Sequence, residues 1–261
     1  MKFVRKILVN LFGLKGYLRL ISKTYIICIS YGLMRKKYAE LFFIRKIVKP
    51  GDVVLDIGAN LAYYSFFLAI SVGKKGKVLA VEPIPLFAEV WKKNMRSLKK
   101  YDFELFNCAL GSEAKDKVKM SIPIVNGVVR HGLTKVDEAN EVDEKAMSFE
   151  VPMRVGDELI QTQKINQLNF IKCDVEGFEQ YVIPSLKSTI KTFLPILQIE
   201  LGGEQNRLAV VEFLTQLGYH IFILNQDKLA EIKILEIQKF SQDFYFIHTE
   251  KLAEYQHLIQ Q

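Results

Sequence analysis

The stretch Val53-Val-Leu-Asp-Ile-Gly-Ala-Asn-Leu-Ala-Tyr-Tyr-Ser65 limits what this chain can fold into more than any other. An apolar, β-branched run enters Asp56-x-Gly58-Ala59-Asn60, and a helix-forming segment from Tyr63 to Ala69 follows at once. That order is strand, tight turn and helix. Gly58 lets the backbone turn and be approached closely, and the first helical turn leaves N–H groups free to donate. Such a unit opens an α/β sheet and offers a small molecule a place to bind.

The acid at the strand's end selects the ligand. A dinucleotide site needs three glycines in the turn, but from Gly58 onward this chain has Asn60 and Tyr63 at the other two positions. A nicotinamide oxidoreductase is therefore disfavoured. Asp56, two residues before the glycine, repels a phosphate and suits a cationic ligand lying over the turn. S-adenosylmethionine, with its ammonium and sulfonium, fits. Lys77-Val-Leu-Ala-Val-Glu82-Pro83 reads as a second buried strand ending in an acid. Glu82 stands 20 residues after Ala62, the spacing at which a carboxylate reaches two ribose hydroxyls. The competing reading is an ordinary strand pair with surface acids.

Beyond Pro85, the periodic residues Leu86, Phe87, Val90, Trp91, Met95 and Leu98 predict a crossover helix, with Trp91 in the core. Phe103–Leu110, closed by Gly111, predicts a third strand, with Asn107 to Ala109 placed where an adenine ring would lie. Residues 112–152 break this rhythm. They are polar, with one candidate strand at Val118–Ile122, a turn signal at Asn126-Gly127 and a loop histidine, His131, and they read as an insertion over the sheet's carboxyl edge. The second half brings a short helix at Asp157–Ile160, then Leu168-Asn-Phe-Ile-Lys-Cys-Asp174-Val-Glu176-Gly177, a strand expected beside the first. Ile196–Glu200 is a fifth strand, Leu208–Leu217 a helix, and His220–Leu224 and Phe244–His248 the last strands. Asp56, Glu82, Asp174 and Glu200 thus end four strands on one edge, as acids gathered at a site do.

The net charge of +7 is unevenly divided. Residues 1–50 hold twelve Lys and Arg against Glu40 alone, a balance of +11, and the remainder is net −4. Apolar residues at helical spacing run between these charges. Residues 1–48 therefore read as a basic helical extension of a domain spanning 49–261. Either it packs on the domain with solvated lysines or it lies on an anionic membrane. The longest uncharged run, Thr24–Met34, has 11 residues and is too short to span a bilayer, and no signal-peptide cleavage site follows. Three cysteines without paired spacing suggest neither a disulfide framework nor a zinc site. The expectation is a cytoplasmic protein, peripheral to the inner membrane face if the extension adsorbs.

Asp56-Ile-Gly-Ala-Asn60 with Tyr63-Tyr64-Ser65, Glu82-Pro83, Asn94, Ala109-Leu110, Lys172-x-Asp174-Val-Glu-Gly177 with Glu179, and Pro195 with Glu200 resemble, in order and spacing, the FkbM family of S-adenosylmethionine-dependent methyltransferases. The resemblance covers roughly residues 50–202 and is most distinctive at Asp-Val-Glu-Gly. It departs at Ala62, where the family usually has Gly, and at Gly156-Asp157-Glu158, where it usually has Leu-Asp-Asp; the extra methyl at Ala62 is expected only to tighten packing. The resemblance implies a seven-stranded Rossmann-like sheet with helices on both faces, and methyl transfer to oxygen on sugars, polyketides or other small hydroxylated metabolites. Asp56, Gly58, Ala59, Asn60, Tyr63, Glu82, Pro83, Asn107, Ala109 and Asp174 are the candidate cofactor-binding residues. Asp174, Glu176 and His131 are candidate bases for the hydroxyl proton. Asp174 with Glu200 is a candidate Mg²⁺ pair, leaving base and metal assistance both open. An RNA methyltransferase using the basic N-terminus is the runner-up, although no RNA-binding module is visible and the domain itself is net acidic. A non-catalytic binding protein on the same fold is the third reading. Nothing in the sequence sets the oligomeric state.

Overall fold

Two layers of helix enclose a central sheet because its strands are apolar on both faces. The computed structural model describes residues 2–125, 128–129, 135–136 and 146–260. The chain opens with helices α1 (Lys2–Ser30) and α2 (Ala39–Ile47), then β1 (Val53–Ile57), α3 (Tyr63–Val72), β2 (Lys77–Val81), α4 (Pro85–Met95) and β3 (Asp102–Phe106). Strands β4 (Ala109–Gly111), β5 (Lys115–Val125), β6 (Val128–Val129), β7 (Lys135–Val136) and β8 (Ala146–Val155) follow. The second half comprises α5 (Gly156–Thr162), β9 (Phe170–Cys173), α6 (Glu179–Val182), α7 (Lys187–Phe193), β10 (Ile196–Ile199), α8 (Glu204–Gln216), β11 (Tyr219–Asn225), β12 (Lys228–Glu231), β13 (Phe244–His248) and α9 (Leu252–Tyr255).

The main sheet runs β12-β11-β13-β10-β9-β1-β2-β3. Its five strands from β10 to β3 are parallel, and β1, β9 and β10 are buried at every residue, as strands covered on both faces must be. After β3 the chain returns to the far side of β1, so the topological switch falls between β1 and β9, the pairing expected for Asp56 and Asp174. One face packs under α5 to α8 through residues such as Ile160, Ile190 and Val211. The other packs under α1 to α4 through Ile29, Phe43, Phe67 and Trp91. A fully buried phenylalanine such as Phe67 or Phe170 contributes about 1.5–3 kcal/mol relative to exposure.

Three features differ from the sequence expectation. The main sheet has eight strands rather than seven, because the hairpin of β11 and β12 adds an edge strand. The expected third strand is two: Asn107 donates its amide to the carbonyls of Glu82 and Pro83, the chain bends there, and β4 leaves the main sheet to pair with β8. The polar section 112–152 is more regular than expected, since β5 and β8 form a long antiparallel pair in a second sheet of order β4-β8-β5-β6. Its apolar side, including Met120, Ile122 and Met153, packs in one cluster with Tyr17 and Leu18 of α1 and Ile84, Phe87 and Val90 at α4. His131, the Asn126-Gly127 turn and residues 137–145 lie outside the described residues.

Candidate active site

The first half of the site is the turn after β1. The N–H groups of Gly58 and Ala59 both donate to the Val81 carbonyl at 3.0 Å, which folds the turn against the end of β2. Gly58 has φ +79°, and a Cβ there would lie 1.8 Å from the Asp174 carbonyl oxygen, so no other residue fits the approach to the β9 turn. Asn60 (φ +46°) and Ala62 (φ +73°) continue in the left-handed region. The methyl of Ala62 therefore does more than tighten packing: it costs about 1–2 kcal/mol of backbone strain where glycine would cost none.

Glu82 closes this turn from the side. Its two carboxylate oxygens accept the Asn60 and Ile84 N–H groups, each at 2.8 Å, and each oxygen keeps lone-pair capacity for a further donor. Burial pushes this carboxyl up to about 8. Asp56 lies differently from expectation. Its carboxylate points beneath α3, where the Ser65 hydroxyl donates to it and the Trp91 indole donates to Ser65 at 2.8 Å. It is 2% exposed, and burial raises it to about 6. Tyr63 sits on the same side, edge-on to Tyr25 of α1 at 6.0 Å between ring centres. Pro83 and Ala109 do come together with Gly58, lining a narrow apolar crevice of about 30 Å³ with Met120 and Phe178.

The second half of the site is the turn after β9. Glu179, fully buried, accepts the N–H groups of Val175 (2.9 Å) and Gly177 (3.1 Å) and the Asn206 amide (2.7 Å). That carboxylate fixes the Asp-Val-Glu-Gly turn and holds Glu176 at φ +55°, a left-handed conformation that a glutamate adopts only when its surroundings impose it. Asp174 is part-exposed at the end of β9, while Glu176 projects from the turn and Glu200 follows β10. Desolvation, then the Asp174 charge, pushes Glu176 up to about 7 and Glu200 up to about 8.

Beneath Asp174 lies a residue to which the sequence alone assigns no role. Lys172 is 1% exposed in the middle of β9, with its ammonium 3.8 Å from Asp174 Oδ2, 3.6 Å from Asp243 Oδ2 and 5.0 Å from the Tyr64 ring centre. Burial alone would lower its pKa, but Asp243, Asp174 and Glu200 together outweigh burial and raise it, so the ammonium stays charged. Gln198 of β10 donates to Asp243 at 2.6 Å. Asp56, Lys172, Gln198 and Tyr245 are register partners on adjacent strands, so one buried polar row crosses the sheet under α2 and α3. A lysine inside a four-residue buried strand and a glutamine inside the next were the available signals. Nothing local marked Asp243.

Asp174 and Glu200, the candidate magnesium pair, follow the neighbouring strands β9 and β10. Among the described residues no group of three or more His, Cys, Asp or Glu is placed to hold a metal ion, and the cation facing Asp174 is the Lys172 ammonium. Asp157 has a structural part. Its carboxylate accepts the Ser188 and Thr189 N–H groups at 2.9 and 2.8 Å, capping α7.

The model of the FkbM methyltransferase domain matches residues 56–221, from the acid of β1 into β11. The chain belongs to the FkbM methyltransferase family. S-adenosylmethionine is the family's methyl donor. A protein-L-isoaspartate O-methyltransferase of Caenorhabditis elegans is 25% identical over 123 residues, 47% of this chain and 48% of that one. Protein-L-isoaspartate O-methyltransferase 1 of Archaeoglobus fulgidus is 41% identical over 51 residues, 20% and 24% of the two chains. The chain thus spans a quarter to a half of the length of these curated relatives. Among solved structures, an FkbM methyltransferase from Methylobacillus flagellatus aligns over 77% of this chain and 48% of its own, with 15% identity and a TM-score of 0.49. An rRNA methylase from Streptococcus thermophilus aligns over 80% and 92%, with 10% identity and a TM-score of 0.45.

Proposed function

We propose that this FkbM-family member transfers a methyl group from S-adenosylmethionine to a hydroxyl of a small metabolite, a saccharide in the first instance, and that residues 49–261 carry out the reaction. The observation that carries this reading is the meeting of two turns, one at Gly58 and one at Asp174, at the topological switch point of the sheet. The donor set suits the cofactor. Glu82 has acceptor capacity left for ribose hydroxyls, and Pro83 and Ala109 offer apolar walls to a flat base. Asn107 helps by holding the ends of β2 and β3 together, and Asp56 supports the turn from below. Admitting an adenine ring to the crevice requires the Met120 or Phe178 side chain to turn aside.

Bound there, the cofactor supplies an electrophilic methyl group, and the protein's task is alignment plus removal of the hydroxyl proton. Asp174 is the proposed base, since it is part-exposed at the carboxyl end of β9 beside the Gly58 turn. Lys172 orients it from beneath, its ammonium 3.8 Å from Asp174 Oδ2. Glu176, raised to about 7, is a hydrogen-bond donor below that pH and a second acceptor above it. The test is incubation with cofactor carrying a deuterated methyl, presented with fractionated hydroxylated metabolites and read by mass spectrometry. Labelled product is expected with the wild type, and turnover ~10²–10⁴-fold lower with Asp174→Asn. Unchanged turnover in Asp174→Asn removes it as the base.

A further inference from the structure

Helix α1 does two things at once. Tyr17, Leu18, Ser22, Ile26 and Ile29 are buried against the domain, and the Asn94 amide of α4 donates to Ser22 at 2.8 Å, so the helix is fixed in place. Its outer surface is nevertheless apolar to a degree that docking on the domain does not explain. Leu20 is 46% exposed and Ile27 47%, with Tyr31, just past the helix end, 82% exposed; before the break at Gly13 (φ +66°), which divides α1 into two helical pieces, Val4, Ile7, Leu11 and Phe12 are exposed as well. Solvent-exposed aliphatic side chains in such number on one element mark a contact surface. Among the described residues no helix is long and apolar enough to cross a membrane.

Where α1 passes α4, a cleft of about 390 Å³ opens between them. Arg19 and Lys23 line it from α1, Lys93 and Arg96 from the end of α4, and Ile27 and Phe66 supply an apolar part of the wall. No acid lines the cleft, and none of the four cations makes an ion pair among the described residues. Lys15 of the same helix, by contrast, is paired with Glu89. Two guanidinium forks and two ammonium groups around one opening are the donor set of a phosphate site.

We propose that this cleft receives the phosphate headgroup of an anionic phospholipid, and that Leu20, Ile27 and their exposed neighbours on α1 enter the acyl boundary of the same bilayer. The apolar neighbours decide between occupants. A nucleic acid uses the cations, but exposed leucine, isoleucine and valine give its backbone nothing, whereas a lipid surface uses both. The N-terminal balance of +11 draws the same face to an anionic membrane. This inference does not depend on the methyl acceptor, and its test involves no turnover.

The full-length protein is sedimented at low salt with vesicles of phosphatidylcholine alone and of phosphatidylcholine with phosphatidylglycerol. Binding is expected only to the anionic vesicles, falling steeply as salt is raised. Lys93→Glu combined with Arg96→Glu is expected to weaken it by at least about thirtyfold, as is Leu20→Ser combined with Ile27→Ser by about tenfold. Calorimetric affinity for S-adenosylhomocysteine should be unchanged in each variant, which separates lost docking from lost folding. The neutral pair Lys93→Gln and Arg96→Gln serves if the reversed pair does not fold. Anionic vesicles left unbound, or bound equally well by the charge-reversed and neutralised proteins, overturn the proposal. Saturable binding of inorganic phosphate, or of a single-stranded RNA, without vesicle binding overturns it as well, and assigns the cleft to a free phosphate or to nucleic acid.

Discussion

Lys172 concentrates the energetics of the site in one side chain. It is buried among Asp174, Asp243 and Tyr64, and removing one partner of a buried charge cluster leaves the others uncompensated. Lys172→Met is expected to lower turnover by ~10²-fold or more and stability by about 3 kcal/mol, with S-adenosylhomocysteine affinity changed only a few-fold. Chemical denaturation and calorimetric titration of the same preparation check the two parts; a variant with wild-type turnover would remove Lys172 from the site. Glu82 has the opposite profile. Glu82→Ala deletes the acceptor for the Asn60 and Ile84 N–H groups, and cofactor affinity is expected to fall by about 1.5–3 kcal/mol. The acids at strand ends were legible in the sequence because an acid before a glycine turn is unusual. Lys172 stands in the family motif but has no role legible there, because a single polar residue within an apolar strand gives no clue to what faces it from 26 or 71 residues away, at Gln198 and Asp243. The direction of Asp56 was equally hidden, since it depends on Ser65 of α3 donating to it while Trp91 of α4 donates to Ser65.

At the scale of elements, apolar runs predicted β1, β2, β9 and β10 well, because each is interrupted by a single polar residue. What escaped were the places where tertiary contacts overrule local pattern. β12, Lys-Leu-Ala-Glu, is defined by its pairing with β11 and a bridge from Leu229 to Ile259 near the chain's end, and β4 separates from β3 because of hydrogen bonds that Asn107 makes to residues 24 and 25 positions earlier. Asp157 illustrates the same limit: its place in a departure from the family pattern gave it no role, whereas its carboxylate caps α7. Asp157→Ala is accordingly expected to cost about 0.5–2 kcal/mol in denaturant unfolding and to leave turnover per folded molecule unchanged. Gly58→Ala lies at the other extreme. The added Cβ meets the Asp174 carbonyl at a backbone φ of +79°, so both turns must separate. Loss of S-adenosylhomocysteine binding together with a reduced melting temperature is expected, and an unperturbed titration would show that the turns are not held as described.

The whole molecule carries its buried acids as a pH-dependent load. Asp56 and Glu82 are almost completely covered, and burial raises them to about 6 and about 8, against ordinary values of about 3.9 and about 4.3 in an unfolded chain. Between those limits the folded protein binds more protons than the unfolded one. Stability from these two groups is therefore fully present below pH ~4 and is lost as pH rises through about 6 for Asp56 and about 8 for Glu82. Each group contributes a slope of up to about 1.4 kcal/mol per pH unit within its window. Calorimetric melting from mildly acidic to mildly alkaline buffer is expected to show a falling melting temperature over that range. Glu82→Gln, which cannot ionise but keeps an acceptor oxygen for a backbone N–H, should flatten the upper part of the decline. A melting temperature that rises with pH between about 6 and about 8 would mean that Glu82 is ionised in the folded protein, and that the two N–H donors at Asn60 and Ile84 outweigh its burial.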